Sequence, residues 1–205
     1  RLAQDRPMVA SLGSMGASGG YMVALPARAI VANPTTLTGS IGVRMELPNM
    51  QGLMGKIGVT HESLATGDLK TAGSPFQPLT EKDRAYFMGI IQDMFNSFKA
   101  MVKEHRGLKD DALAAVSDGR AMTGAQALSL GLVDVLGDEV NAAKLLQVFC
   151  KSPEDLPLVE GPEDENALTL WRLIFGGTGF GRFGELLGRF AEEAAAPQQV
   201  KFYYY

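Results

Sequence analysis

Val9-Ala10-Ser11-Leu12-Gly13-Ser14-Met15-Gly16-Ala17-Ser18-Gly19-Gly20-Tyr21 opens on a short apolar run, passes into glycines and sets a serine within Gly16-Ala17-Ser18-Gly19-Gly20. An apolar run closed by Gly13 has the pattern of a buried strand, and the small residues after it permit a sharp strand-to-helix turn. A serine in that turn has the layout of a nucleophile, because its neighbours leave the hydroxyl open and let a substrate carbonyl approach the backbone. The first N–H groups of the following helix have no helical partners and suit an oxyanion. Ser18 is therefore the first candidate nucleophile. In a chain with 24 glycines the G-x-S-x-G pattern also arises by chance, so it needs a base to give it chemical meaning.

Moving outward, residues 18–26 read as a short helix stopped by Pro26, and Ala29-Ile30-Val31-Ala32 as a second strand. Asn33 to Ser40 reads as a loop, since Asn33, Pro34 and Gly39 are turn formers, with Ile41-Gly42-Val43 extended beyond it. Residues 49–57 fit a helix carrying Met50, Leu53, Met54 and Ile57 on one side, and Val59 to Leu64 fit a strand. Residues 65–79 form a loop with two glycines and two prolines, and Lys70 stands in its middle.

From Thr80 to about Arg106 the spacing predicts the longest helix. Thr80 and Asp83 make a variant capping box, and the stripe Phe87, Ile90, Ile91, Met94, Phe95, Phe98, Met101 and Val102 faces a core or a subunit interface. Leu108 to Val116 is a further helix and Arg120 to Met122 a brief extended piece. Thr123 with Gln126 caps a helix that stops at Gly131, Leu132 to Val135 is a strand, and residues 138–149 form a last core helix. Short strands alternating with short helices predict an α/β fold.

Residues 1–150 are then a single core. Residues 151–167, with three prolines, six acids and one lysine, read as a linker, and residues 168–205 as an amphipathic extension. Trp171, Phe175, Phe180, Phe183 and Phe190 with Arg172, Arg182 and Arg189 suit a membrane surface or a partner, or a tail folded on its own core.

The 205 residues, 46% of them hydrophobic, suffice for a full core. A net charge of −4 without a basic block argues against nucleic acid as a partner. Cys150 is the lone cysteine, which excludes an intrachain disulfide or a cysteine zinc site. His61 and His105 lack metal-ligand spacing, so neither a metal nor a cofactor is called for. Gly179-Phe180-Gly181-Arg182-Phe183-Gly184 matches G-x-G-x-x-G, but too little chain follows to complete a dinucleotide fold. No run of 18 uncharged apolar residues is present to span a bilayer.

The base decides the chemistry. No histidine precedes Ser18, and His105 falls in the long helix while His61 falls in a strand pattern, so neither fits the histidine-containing triads well. Asp134 reads as a strand-end carboxylate. Lys70 is the one lysine placed in a Gly/Pro-shaped loop rather than on a solvated helix face.

Separated motifs, taken together, carry a resemblance. Gly16-Ala17-Ser18-Gly19-Gly20-Tyr21, Ala32-Asn33-Pro34, Thr38-Gly39-Ser40-Ile41-Gly42, Gly67-Asp68-Leu69-Lys70-Thr71-Ala72-Gly73-Ser74-Pro75-Phe76 and Asp118-Gly119-Arg120 with Gly131-Leu132-Val133-Asp134 resemble the bacterial signal peptide peptidase A family. The resemblance covers residues 7–149 and implies a Clp protease/crotonase-like fold of repeated β-β-α units, cut short here at its N-terminal side.

It implies Ser18 as nucleophile, Lys70 as general base, Ser40 as the serine that orients the lysine, and the Gly19 N–H as an oxyanion donor. A lysine of ordinary pKa, about 10.4, is almost wholly charged at neutral pH, so such a base calls for burial in a dry pocket. The family implies peptide substrates, above all cleaved signal peptides and unfolded apolar peptides, at the extracytoplasmic face of the bacterial inner membrane. It also implies a homo-oligomer in which Ser and Lys come from adjacent subunits, with a second oxyanion donor from a loop upstream of residue 1.

Met15, Tyr21, Met22 and Phe76 fit apolar substrate pockets or plain core packing, and the run 200–205 is aromatic enough to dock in such a groove. A crotonase-like acyl-CoA enzyme and a non-catalytic scaffold of the same fold are the alternatives.

Overall fold

The computed structural model describes residues 6–150 and the backbone of 200–203. The expected linker 151–167 and most of the extension 168–205 lie outside the described residues. Strands and helices alternate as β1 Val9–Leu12, β2 Met15–Ala17, α1 Gly19–Ala24, β3 Ala29–Ala32, β4 Leu37–Gly39 and α2 Gln51–Lys56. This is a β-β-α unit followed by a second, the α/β layout that the resemblance implies. The chain continues through α3 Glu81–Arg106, α4 Asp110–Val116, β5 Ala121–Thr123, α5 Gly124–Ser129, β6 Val135–Leu136, α6 Glu139–Cys150 and β7 Val200–Tyr203.

The chain divides into two compact units. The first comprises residues 1–38 and 122–205. Its main sheet has the order β6-β3-β1-β7, with β1 parallel to β3 and β3 parallel to β6, while β7 runs antiparallel to β1 from Val9↔Tyr203 to Leu12↔Val200. The backbone of the aromatic run thus extends the sheet as a strand. Every residue of β1 and β3 is buried, the pattern of a sheet covered on both faces. Helix α6 seats Ala142 and Leu146 against Val9, Ala29 and Val31, with Phe149 and Cys150 partly buried beside them. The first strands of the two β-β-α units lie in this sheet, and the second strands, β2 and β4, pair in a separate sheet of order β2-β4-β5.

The second unit is residues 39–121. Helix α3 begins with the expected capping box, in which the Thr80 hydroxyl accepts from the Asp83 N–H and the Asp83 carboxylate accepts from the Thr80 N–H. It ends at Gly107 in the left-handed conformation. Phe98 and Val102 are buried, whereas Met94 earlier in the same stripe is 53% exposed, so the stripe reaches the core only near its end.

Three expectations are corrected. Val59 to Leu64 is not a strand and is exposed throughout, Leu64 to 91%. Alternation there places Val59 with His61 and Ser63, and Leu64 with Thr60 and Glu62, so neither face is apolar enough to bury. The expected loop from Asn33 to Ser40 contains strand β4, discussed below. Finally, Leu132 and Val133 are buried but not strand: the Leu132 N–H bonds the Ala127 carbonyl as the helix ends, and pairing begins only at Val135.

Candidate active site

Ser18 stands between β2 and α1 with φ 52° and ψ −118°. An L-residue rarely takes a positive φ, and among the described residues only two that are not glycine do so, Ser18 and Ser40. Such a backbone persists only where its surroundings impose it. At Ser18 they do so from both sides. A Cβ on Gly16 would lie 2.7 Å from Leu12 Cδ2, so glycine lets β2 fold back onto the β1 side chain. After the serine, helix α1 is anchored by the fully buried Tyr21, whose hydroxyl donates to the Leu132 carbonyl at 2.7 Å.

The Ser18 hydroxyl makes no capping hydrogen bond, although its carbonyl accepts from the Met22 N–H. Gly19 is exposed, and a Cβ built on it meets nothing within 4 Å. The small neighbours therefore serve two purposes: Gly16 allows close packing and Gly19 leaves an approach.

Two threonines support this turn. The Thr38 hydroxyl, fully buried, donates to the Gly16 carbonyl at 2.8 Å. Thr36, also buried, donates to the Gly13 carbonyl at 2.6 Å and accepts from the Asn33 N–H. Both hydroxyls tie carbonyls of the 13–16 segment to the chain that follows Asn33. Reading 33–40 as a plain loop missed them. The signal was present in the two-residue spacing of Thr36 and Thr38, which puts both hydroxyls on one face of an extended segment.

Ser40 and Lys70 belong to the second unit. Ser40 follows Gly39, φ 71°, with a φ of 52° of its own. Its N–H donates to the Arg120 carbonyl at 3.0 Å and its hydroxyl to the Gly119 carbonyl at a long 3.4 Å. Asp118 closes that turn by accepting from the Arg120 N–H at 3.1 Å and from Nε at 2.6 Å. These bonds from Arg120 hold the Asp118 carboxyl below its ordinary range.

Lys70 lies in successive tight turns, the Lys70 N–H donating to the Gly67 carbonyl and the Ala72 N–H to the Leu69 carbonyl. Gln77 Nε2 reaches back across the loop to Thr71. Beside Lys70, Asp68 is paired with Lys82 at 2.6 Å, and that hydrogen bond lowers the Asp68 pKa. Lys70 is exposed among the described residues, whereas a lysine base calls for a dry pocket.

The remaining candidates resolve simply. The Asp134 carboxylate accepts from the Ile30 N–H at 2.7 Å and so helps to hold the start of β3. His61 packs against Phe76 with its ring tilted, and His105 is exposed in the last turn of α3. Of the suggested pocket residues, Tyr21 belongs to the core, while Met15 and Phe76 are exposed. Among the described residues no cluster of His, Cys, Asp or Glu could hold a metal, and no helix is long and apolar enough to cross a membrane.

The family model described as peptidase family S49 matches residues 1–150. A protein of Methanocaldococcus jannaschii named as a protease is 36% identical over 189 residues, covering 91% of this chain and 60% of that protein. A protein of Enterococcus faecium named as a signal peptide peptidase is 32% identical over 143 residues, covering 70% of this chain and 42% of that one. The chain thus spans about three fifths or less of these relatives. Among solved structures, a membrane-bound stomatin-specific protease in complex with a substrate peptide aligns with TM-score 0.38 at 18% identity, covering 77% of this chain and 64% of that one. A likeness at that score carries no argument about the fold.

Proposed function

Because this chain belongs to peptidase family S49, we propose that it is the nucleophile-bearing part of a serine endopeptidase in which Ser18 attacks and Lys70 is the general base. The neutral Lys70 amine takes the Ser18 hydroxyl proton as Oγ adds to the peptide carbonyl carbon, with the Gly19 N–H facing the oxyanion. Collapse of the tetrahedral adduct breaks the C–N bond, and the lysine ammonium returns its proton to the departing amine. Water, deprotonated by the same amine, then hydrolyses the acyl-serine. No metal or cofactor takes part in this scheme.

The observation that carries the reading is the positive φ of Ser18 in a strand-to-helix turn, with a hydroxyl not spent on capping the helix. Exposure of Lys70 supports a base supplied to a neighbouring copy, since a second chain laid over it would withdraw the amine from water. The substrates proposed are cleaved signal peptides and other unfolded apolar peptides, at the extracytoplasmic face of the bacterial inner membrane.

A serine-directed fluorophosphonate tests the chemistry. The expected result is labelling at Ser18 that is lost in Lys70→Ala and that disappears on dilution to monomer. Labelling that survives Lys70→Ala would remove the dyad, and full reactivity in a proven monomer would remove the shared site.

A further inference from the structure

The Asp118-Gly119-Arg120 turn belongs to the resemblance, yet the scheme above gives it no work. Among the described residues it meets the chain at Ser40. The Arg120 carbonyl accepts the Ser40 N–H and the Gly119 carbonyl accepts its hydroxyl. Gly119 itself has φ 85°, and a Cβ on Gly42 would stand 2.9 Å from Gly119 Cα, so the two corners pack backbone to backbone. Asp118 locks the turn through both the backbone N–H and the guanidinium of Arg120.

A hydroxyl has one hydrogen and two lone pairs. When that hydrogen goes to the Gly119 carbonyl, 3.4 Å away, Ser40 Oγ meets any further partner as an acceptor. A neutral lysine amine has two N–H donors and one lone pair, and only the lone pair can take the Ser18 proton. A Ser40 that donated would occupy that lone pair and silence the base, whereas a Ser40 that accepts an N–H leaves it free.

We infer that Asp118, Gly119 and Arg120 form a positioning turn that fixes both the backbone and the hydroxyl hydrogen of Ser40, keeping Ser40 an acceptor toward the Lys70 amine. This rests on the Ser-Lys reading, and its test separates the two. The variants are Arg120→Ala, Arg120→Lys, Asp118→Ala, Ser40→Ala and the double Ser40→Ala/Arg120→Ala. The readouts are the rate of fluorophosphonate labelling at Ser18 as a function of pH, and hydrogen exchange of the Ser40 amide.

Arg120→Ala and Asp118→Ala are expected to slow labelling about 10- to 100-fold, to shift the ascending limb of the pH profile and to speed exchange at Ser40. Arg120→Lys should restore part of the rate, and the double variant should label no more slowly than Ser40→Ala alone. Unchanged exchange at Ser40, or additive losses in the double variant, would overturn the positioning role and leave the dyad standing. Labelling independent of Lys70 would overturn the dyad, and the positioning role with it, even where Ser40 exchange still responds.

Discussion

Ser18 and Ser40 share a φ of 52°, yet the protein holds the two corners by different means. The Ser18 corner is wedged by packing: Leu12 lies against Gly16, Tyr21 is buried beyond it, and the fully buried Thr38 supplies one neutral hydrogen bond. The Ser40 corner is held by exposed polar groups, two carbonyls and the Asp118–Arg120 pair. A nucleophile must keep its place while charge develops on it, and close packing is stiff because it deforms only at the cost of many contacts. In the proposed scheme Ser40 needs a set direction for one hydrogen, and the Gly119 carbonyl is its acceptor. Substitutions of the groups that wedge the first corner should therefore act on both fold and chemistry, and those at the second mainly on chemistry.

The largest effects should come from the reacting groups. Ser18→Ala should abolish labelling and lower peptide hydrolysis by about 10⁴-fold or more, with thermal unfolding little changed. Lys70→Ala should cost about 10²- to 10⁴-fold. Lys70→Arg should not rescue it, because a guanidinium remains protonated and cannot accept the serine proton. Substantial turnover by either lysine variant would place the base elsewhere.

Next come the groups that wedge the first corner. Gly16→Ala sets a methyl 2.7 Å from Leu12 Cδ2, in a place where Leu12 is almost wholly buried and has little room to yield. The expected loss is about 1–3 kcal/mol of unfolding free energy, measured by denaturant melts, together with slower labelling. Combining it with Leu12→Val should give less than the sum of the two single losses, since each removes part of the same clash. Thr38→Val should cost about 1–3 kcal/mol by removing the buried hydroxyl that donates to the Gly16 carbonyl. A Thr38→Val protein as stable as the parent would show that the corner does not depend on that bond.

The same contrast explains what the sequence disclosed. Ser18 was legible because the apolar run, the glycines and the serine are contiguous, and a local turn follows from local residue types. The capping boxes at Thr80 and Thr123 were legible for the same reason. Strand β4 was not, because Leu37–Gly39 is three residues long and its pairing depends on β2 and β5, distant in the chain. Val59 to Leu64 shows the opposite error, a β-like composition with no apolar face. Lys70 was found by elimination and by resemblance, and its exposure is a tertiary fact that the loop composition does not contain.

The smallest predicted effect separates the corners by pH. Among the groups named as wedging Ser18, namely Leu12, Gly16, Thr38 and the Tyr21 hydroxyl, none titrates in acid. The Ser40 corner contains Asp118, whose native pKa is depressed chiefly by the hydrogen bond from the Arg120 side chain and then by that from its backbone N–H. A depressed native value means that the pair's contribution is fully present above the unfolded carboxylate pKa, about 3.9, and fades as pH falls through the lower native value. An NMR titration of the Asp118 carboxyl should therefore show its midpoint below the ordinary range, returning toward it in Arg120→Ala. The Ser40 amide resonance should shift with the same midpoint while the Gly16 and Ser18 amides stay still. Movement of all three together would mean that acid acts on the fold as a whole, and the proposed difference between a packed corner and a polar one would be lost.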